Sequence, residues 1–162
     1  MALIEVDGFL ADSVVRAEGK LYVQGAGWNR ITASLFPAVH DRIGIGLIFR
    51  VQAEPSPRTY RFDLRLEDAE GAEQPLGMAP PGSGAGEGRL YRLNGEFTVG
   101  PVPVGDESLV AMAVNLNGMS FERPAAYRFA VSVDGTDVKV LPFRVEAMAA
   151  QSPPVTGGGG YL

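Results

Sequence analysis

Apolar and polar residues alternate with a period of two along most of this chain. Tyr60, Phe62, Leu64 and Leu66 take turns with Thr59, Arg61, Asp63, Arg65 and Glu67. That is a strand with one greasy face and one wet face. Ile43, Ile45, Leu47, Phe49 and Val51 repeat the pattern against Gly44, Gly46, Arg50 and Gln52, and only Ile48 breaks the outer row. Tyr91, Leu93, Phe97 and Val99 form a third row. Val110, Met112, Val114 and Leu116 form a fourth, opposite the small residues Ala111 and Ala113, which suggests cover on both faces.

The clearest hairpin lies near the end. Tyr127, Phe129, Val131 and Val133 lead into Asp134-Gly135, and Val138 and Val140 come back. Asp-Gly suits a two-residue turn because it tolerates positive φ. The apolar phase then slips to Phe143 and Val145, which predicts a bulge at Leu141-Pro142 on an edge strand. Two further strands are expected at 2–10 and 20–24, with a turn at Ala17-Glu18-Gly19 between them. No segment holds a 3.6-residue period, and at most one helical turn is expected between Ala33 and Asp41. Together these elements predict an all-β chain: a single antiparallel β-sandwich of about eight strands, immunoglobulin-like in architecture.

Composition fits turns rather than helices. Gly and Pro number 21 and 12 among 162 residues, roughly a fifth of the chain against a usual share of about 12%. Residues 1–148 read as one domain and 149–162 as a Pro/Gly-rich tail. The segment from Met78 to Gly88 reads as a mobile loop. With 46% hydrophobic and 20% charged residues, the chain has enough apolar material for a core.

Charge and residue types narrow the chemistry. The net charge is −5 and no Lys/Arg cluster interrupts it, so nucleic acid and anionic membranes are not expected partners. The chain has no cysteine. The first residues lack the basic and apolar run of a signal peptide, so the expected place is the cytoplasm as synthesised, or a virion or other protein shell. Arg outnumbers Lys 12 to 2, a codon bias that suggests a high-GC bacterium or one of its viruses.

Candidate sites are few. His40 is the one histidine and has neither a metal-ligand spacing nor a nucleophile elbow around it. Gly25-x-Gly27 and the Gly82–Gly88 run lack the strand–loop–helix context of a phosphate cradle. Asp68, Glu70 and Glu73, then Asp106 and Glu107, then Asp134 and Asp137 read as solvated turns before they read as metal ligands. No catalytic residue, cofactor or metal is therefore expected, and the chain reads as a protein that is not an enzyme. Trp28 has two readings: a core anchor between sheets, or an exposed platform that binds a carbohydrate or small ligand with Tyr22 or Tyr91. The tail also has two: a frayed end, or a tether that carries Tyr161 and Leu162 to a partner subunit, about 20 Å away if flexible.

Leu10-Ala11-Asp12, Gly19-Lys20-Leu21, Gly25-x-Gly27-Trp28-x-x-Ile31, Leu66-x-Asp68-x-x-Gly71 and Pro142-Phe143-Arg144-Val145 together resemble an uncharacterised family of short β-rich bacterial proteins. The resemblance spans 9–145 and implies no function. From the residues themselves, the expected role is a structural or interaction subunit of a larger assembly, in its most concrete form an accessory or decoration protein on a shell such as a bacteriophage capsid. The alternative is a small-ligand or carbohydrate-binding module. The protein partner or second copy is not identified by the sequence.

Overall fold

The computed structural model describes residues 3–78 and 88–149. Among them it is all-β, with thirteen strands and no helix. Three long strands make the first sheet: β1 (Ile4–Ala11), β5 (Ala38–Gln52) and β11 (Glu107–Phe121), in the order β1-β5-β11. A second sheet runs β10-β6-β12-β13-β4, from β10 (Arg92–Val99), β6 (Arg58–Asp68), β12 (Ala125–Val133), β13 (Thr136–Ala147) and β4 (Arg30–Ala33). Two small ribbons stand apart: β2 (Ser13–Ala17) with β3 (Lys20–Gln24), and β8 (Gly77–Met78) with β9 (Arg89–Leu90). The two-residue β7 (Glu73–Gln74) pairs with β6.

The inward rows of the two long sheets share one core. Phe49 on β5 meets Phe97 and Phe62 of the second sheet, with ring centroids 4.8 and 6.3 Å apart. Phe121 at the end of β11 meets Tyr127 at 5.0 Å and Phe143 at 5.9 Å. The alternation seen along β6 is what places Tyr60, Leu64 and Leu66 in this core, all nearly inaccessible. At one edge Gly8 on β1 lies against Leu141 on β13, so the sheets draw together there.

Several sequence expectations need correction. The architecture is not a plain antiparallel sandwich of eight strands. β4 pairs with β13 in parallel, from Arg144↔Arg30 to Ala147↔Ala33, the sheets curl toward each other, and five short strands add to the eight expected. No helical turn occupies 33–41: bends follow Ala33 and β5 begins at Ala38. The bulge lies between Val131/Ser132 and their partners Lys139/Asp137, so Val138 is the extra residue, not Leu141-Pro142. Val140 is consequently turned outward while Leu141, Phe143 and Val145 are buried. The edge expectation holds for the part of β13 that carries Pro142, because among the described residues β4 pairs only with Arg144 to Ala147. Pro142 pairs with Arg128 of β12 but sits just before the β4 pairing starts at Arg144, where a missing N–H removes no bond to β4.

The Asp134-Gly135 hairpin is present as expected, with φ of 47° and 81° at its two turn residues. Glu18-Gly19 repeats the same turn between β2 and β3, with φ of 52° and 73°. Most of the expected mobile loop, 79–87, lies outside the described residues, as does the tail beyond Ala149 with Tyr161 and Leu162.

Candidate functional site

The outer faces of the two sheets differ in kind. On the second sheet, Arg65 is central. Its guanidinium donates to Glu67 Oε1 at 2.7 Å, to Ser132 Oγ at 2.7 Å and to both Asp137 oxygens at 2.9 and 2.7 Å. Arg128 Nε donates to the other Glu67 oxygen at 2.7 Å, and Arg92 pairs with Glu73. Burial opposes the charge on Glu67, yet the hydrogen bonds from Arg128 and Arg65 outweigh it and hold the carboxyl below its usual range. Asp137 is held low by Arg65 and then by the Ser132 hydroxyl. This face is largely polar and internally paired; the buried Asp63 Oδ1 has no hydrogen-bond partner among the described residues but lies 3.6 Å from Arg92 and 3.8 Å from Arg65.

The first sheet presents something else. Register places Glu5–Arg50–Leu109, Asp7–Ile48–Ala111, Phe9–Gly46–Ala113 and Ala11–Gly44–Asn115 in successive rows across its outer face. The Phe9 ring lies on Gly46, whose added Cβ would stand 2.2 Å from Cζ, so only glycine fits beneath it. Phe9, Ile48, Ala111 and Ala113 are each half-buried, and Leu109 is 58% exposed.

One end of this face is covered by the β2–β3 hairpin. The Ser13 backbone comes within 3.0 Å of where a Gly44 Cβ would stand, so the chain crosses directly over β5. At β11, the Asn115 amide treats Val14 as a neighbouring strand would: its Oδ1 accepts from Val14 N–H at 3.0 Å and its Nδ2 donates to the Val14 carbonyl at 2.7 Å. Val14 is fully buried. The order β1, β5, β11 under residues 11, 13 and 14 means that β2 runs across the sheet and continues past its last strand. Beyond Val14 the hairpin is an exposed arm. Val15 and Tyr22 face each other across it, 55% and 54% exposed.

β11 is also an edge of a distinctive kind. From Leu109 to Val114 it reads Leu-Val-Ala-Met-Ala-Val, six apolar residues without charge or proline. Among the described residues, no strand pairs with its far side. Natural edges are usually guarded by charge, proline, bulges or shortness. β10 carries Arg92 and Glu96, and β4 has only four residues. β11 has none of these guards along that stretch.

The catalytic candidates do not converge. A cleft of about 590 Å³ lies between the β6–β7 turn and the β11–β12 connection, lined by Asp68, Glu70, Glu122, Arg89, Arg123 and Arg144 beside Phe121 and Tyr127. Its acids and arginines balance in number. The Asp68 carboxylate is occupied by its own turn, accepting from the N–H groups of Glu70 at 3.1 Å and Ala72 at 2.8 Å and from Gln74 Nε2 at 2.9 Å. His40 is elsewhere, its ring edge-on to Trp28 with centroids 6.0 Å apart. Among the described residues, no group of three or more His, Asp or Glu side chains is placed to hold a metal ion.

Trp28 is half-buried and packs against the core, with Nε1 buried and without a hydrogen-bond partner among the described residues. Tyr22 stands on the arm. Tyr91, 44% exposed, sits between β9 and β10. The aromatic contacts of the described residues join none of these three to another. Sequence reading missed β2 and the role of Asn115. The visible signal was Glu18-Gly19 flanked by Val14-Val15 and Leu21-Tyr22-Val23, a hairpin pattern.

The motifs that hold these turns and rows run through nearly the whole body, and a family model matches residues 7–146. The chain belongs to DUF6941, a family of unknown function. No curated relative of this DUF6941 member matches its sequence. Among solved structures it is similar to the alkylpurine DNA glycosylase AlkC of Pseudomonas fluorescens, bound to DNA containing an abasic site analog, at 13% identity and a TM-score of 0.47. A beta-glucuronidase from glycoside hydrolase family 2 aligns at 11% identity and 0.35. The matches cover 89% and 68% of this chain, which spans only 30% and 11% of those proteins. At these scores neither likeness bears on fold or activity. No helix of the described residues is long and apolar enough to cross a membrane.

Proposed function

We propose that this DUF6941 chain is a non-enzymatic contact subunit of a larger protein assembly. The observation that carries this reading is the unguarded far edge of β11, six apolar residues that pair with β5 on one side and, among the described residues, with no strand on the other, beside a half-buried apolar face. An edge of this length left in water is a template for another chain. The exposed Val15–Tyr22 pair on the arm adds a second contact surface. The scaffold is read as an immunoglobulin-like sandwich with its edges drawn together, and the most concrete role is that of an accessory or decoration protein on a shell such as a phage capsid. Tyr161 and Leu162 of the tail are carried forward as a tether anchor. Gentle isolation from the native source, followed by mass determination and mass spectrometry, tests the reading. Recovery in a protein complex that Ala111→Lys disrupts is expected. Recovery of the native chain as a lone monomer ends the reading.

The second reading, a carbohydrate or small-ligand module, draws on the exposure of Tyr22 and Tyr91. A glycan that shifts Trp28 emission, with the shift lost in Tyr22→Ala or Tyr91→Ala, is its expected signature.

A further inference from the structure

We infer that the partner covering the β11 edge is a second copy of this chain, joined by antiparallel β11 strands and by exchange of the two β2–β3 arms. The inference rests on the contact-subunit reading and names the partner for that surface.

The argument is geometric. A twofold axis normal to the first sheet gives an isologous contact, in which each surface meets its own copy. Side chains alternate along β11, so the two outer faces stay on one side of a continuous sheet only if odd residues oppose odd residues. Placing the axis at Met112 pairs the apolar stretch with itself and sets Leu109 opposite Asn115 of the second copy. Asn115 is the residue that clamps Val14, and there the arm leaves its own sheet. The arm therefore passes directly over the row Leu109–Arg50–Glu5 of the second copy.

The dimensions agree. Val14 to Ala17 advances about 10 Å, and two strand spacings of about 4.8 Å carry it from β11 to β5 and toward β1 of the second copy. The chemistry agrees as well. Val14 and Val23 share one face of the hairpin, as do Arg16 and Leu21 one step further along. Leu21 and Val23 then cover Leu109, which is 58% exposed without a partner. At the tip, Arg16, on the same face as Val14 and Leu21, reaches a corner where Arg50 is already shared between Asp7 at 2.8 Å and Glu107 at 3.1 Å. With Glu5 alongside, that corner carries three acids to one base and attracts a basic tip. The Val15–Tyr22 pair stays on the opposite face of the arm, free for a further partner.

Sedimentation velocity of the full chain across a concentration series tests the inference, with circular dichroism confirming that each variant is folded. A dimer is expected. Leu109→Glu, at an exposed position, is expected to weaken it by about tenfold or more. Arg16→Glu weakens it, and adding Glu5→Lys in the same chain restores it, because a symmetric contact places both changes at one junction. A monomer at every concentration overturns the inference, as does a dimer indifferent to Leu109→Glu. If that monomer nevertheless leaves its native source in a complex that Ala111→Lys disrupts, the contact-subunit reading stands and only the identity of the partner falls.

Discussion

The outer faces of the two sheets are built from the same alternating strands and solve the problem of water in opposite ways. On the second sheet the outward positions around Arg65 are mostly charged or polar, with Ala130 and Val140 the apolar exceptions, and Arg65, Glu67, Arg128, Ser132 and Asp137 satisfy one another. On the first, the corresponding positions are Phe9, Gly46, Ile48, Ala111 and Ala113. A self-paired polar face is finished in the monomer, because docking on it strips water from charges that already have partners. A face of small and apolar groups beside a bare edge gains from being covered. The difference separates a wall from a contact surface.

The comparison breaks most visibly at Arg65, whose side chain is only 13% exposed. Arg65→Ala removes the donor that, with Arg128, supports the buried Glu67 carboxylate, and is expected to cost about 3–5 kcal/mol by denaturant unfolding. Ile48→Ser, on the half-buried outer face of the first sheet, is expected to cost the isolated monomer less than about 1.5 kcal/mol. If the two substitutions cost the same, the faces do not differ as described.

The arm offers the next test. In Gly44→Val a side chain meets the Ser13 backbone, which has no flexible end to swing away. Roughly 1–3 kcal/mol is expected, with limited proteolysis newly cutting between Asp12 and Gly27 while the body stays intact. Asn115→Ala leaves the Val14 N–H and carbonyl without their partner and is expected to loosen the same segment by about 1–2 kcal/mol. Uniform proteolysis throughout the chain in either variant contradicts the placement of the arm.

The smallest effect is in acid. Glu67 and Asp137 have folded carboxyls held below their ordinary values. Their contribution to stability is therefore present above the unfolded carboxyl range of about 4 and is lost as pH falls below it through the folded values. Wild-type stability is expected to fall below about pH 4, and Arg65→Ala to fall less steeply there. An equal slope in both proteins removes the network from the account of acid sensitivity.

How much of this was legible without coordinates follows the range of each interaction. β6, β10 and β12 announce themselves because a half-buried strand writes its burial as alternation. Asp134-Gly135 is local turn chemistry and needs nothing distant. β2 was hidden because only Val14 of its five residues is buried, so it has no alternation to read. β4 depends on a parallel partner near the other end of the chain, which no short window contains. The bulge was displaced from Val138 to Leu141-Pro142 because Val138 and Val140 look alike in sequence, while register turns Val140 outward. The contact surface was half legible: the apolar row with Ala111 and Ala113 suggested cover on both faces, but only the arm's path showed where cover ends.

The central claim, that the β11 edge is covered by another chain, is most directly tested by hydrogen exchange at the amides of Leu109 to Val114 as protein concentration rises. Alternate amides of this stretch face β5 and the others face the open edge. The account predicts that the edge-facing set exchanges fast at high dilution and becomes protected as the concentration increases, together with the arm residues Arg16 to Val23. Fast exchange of the edge-facing set at every concentration, in protein taken gently from its source as well as in the purified chain, contradicts it.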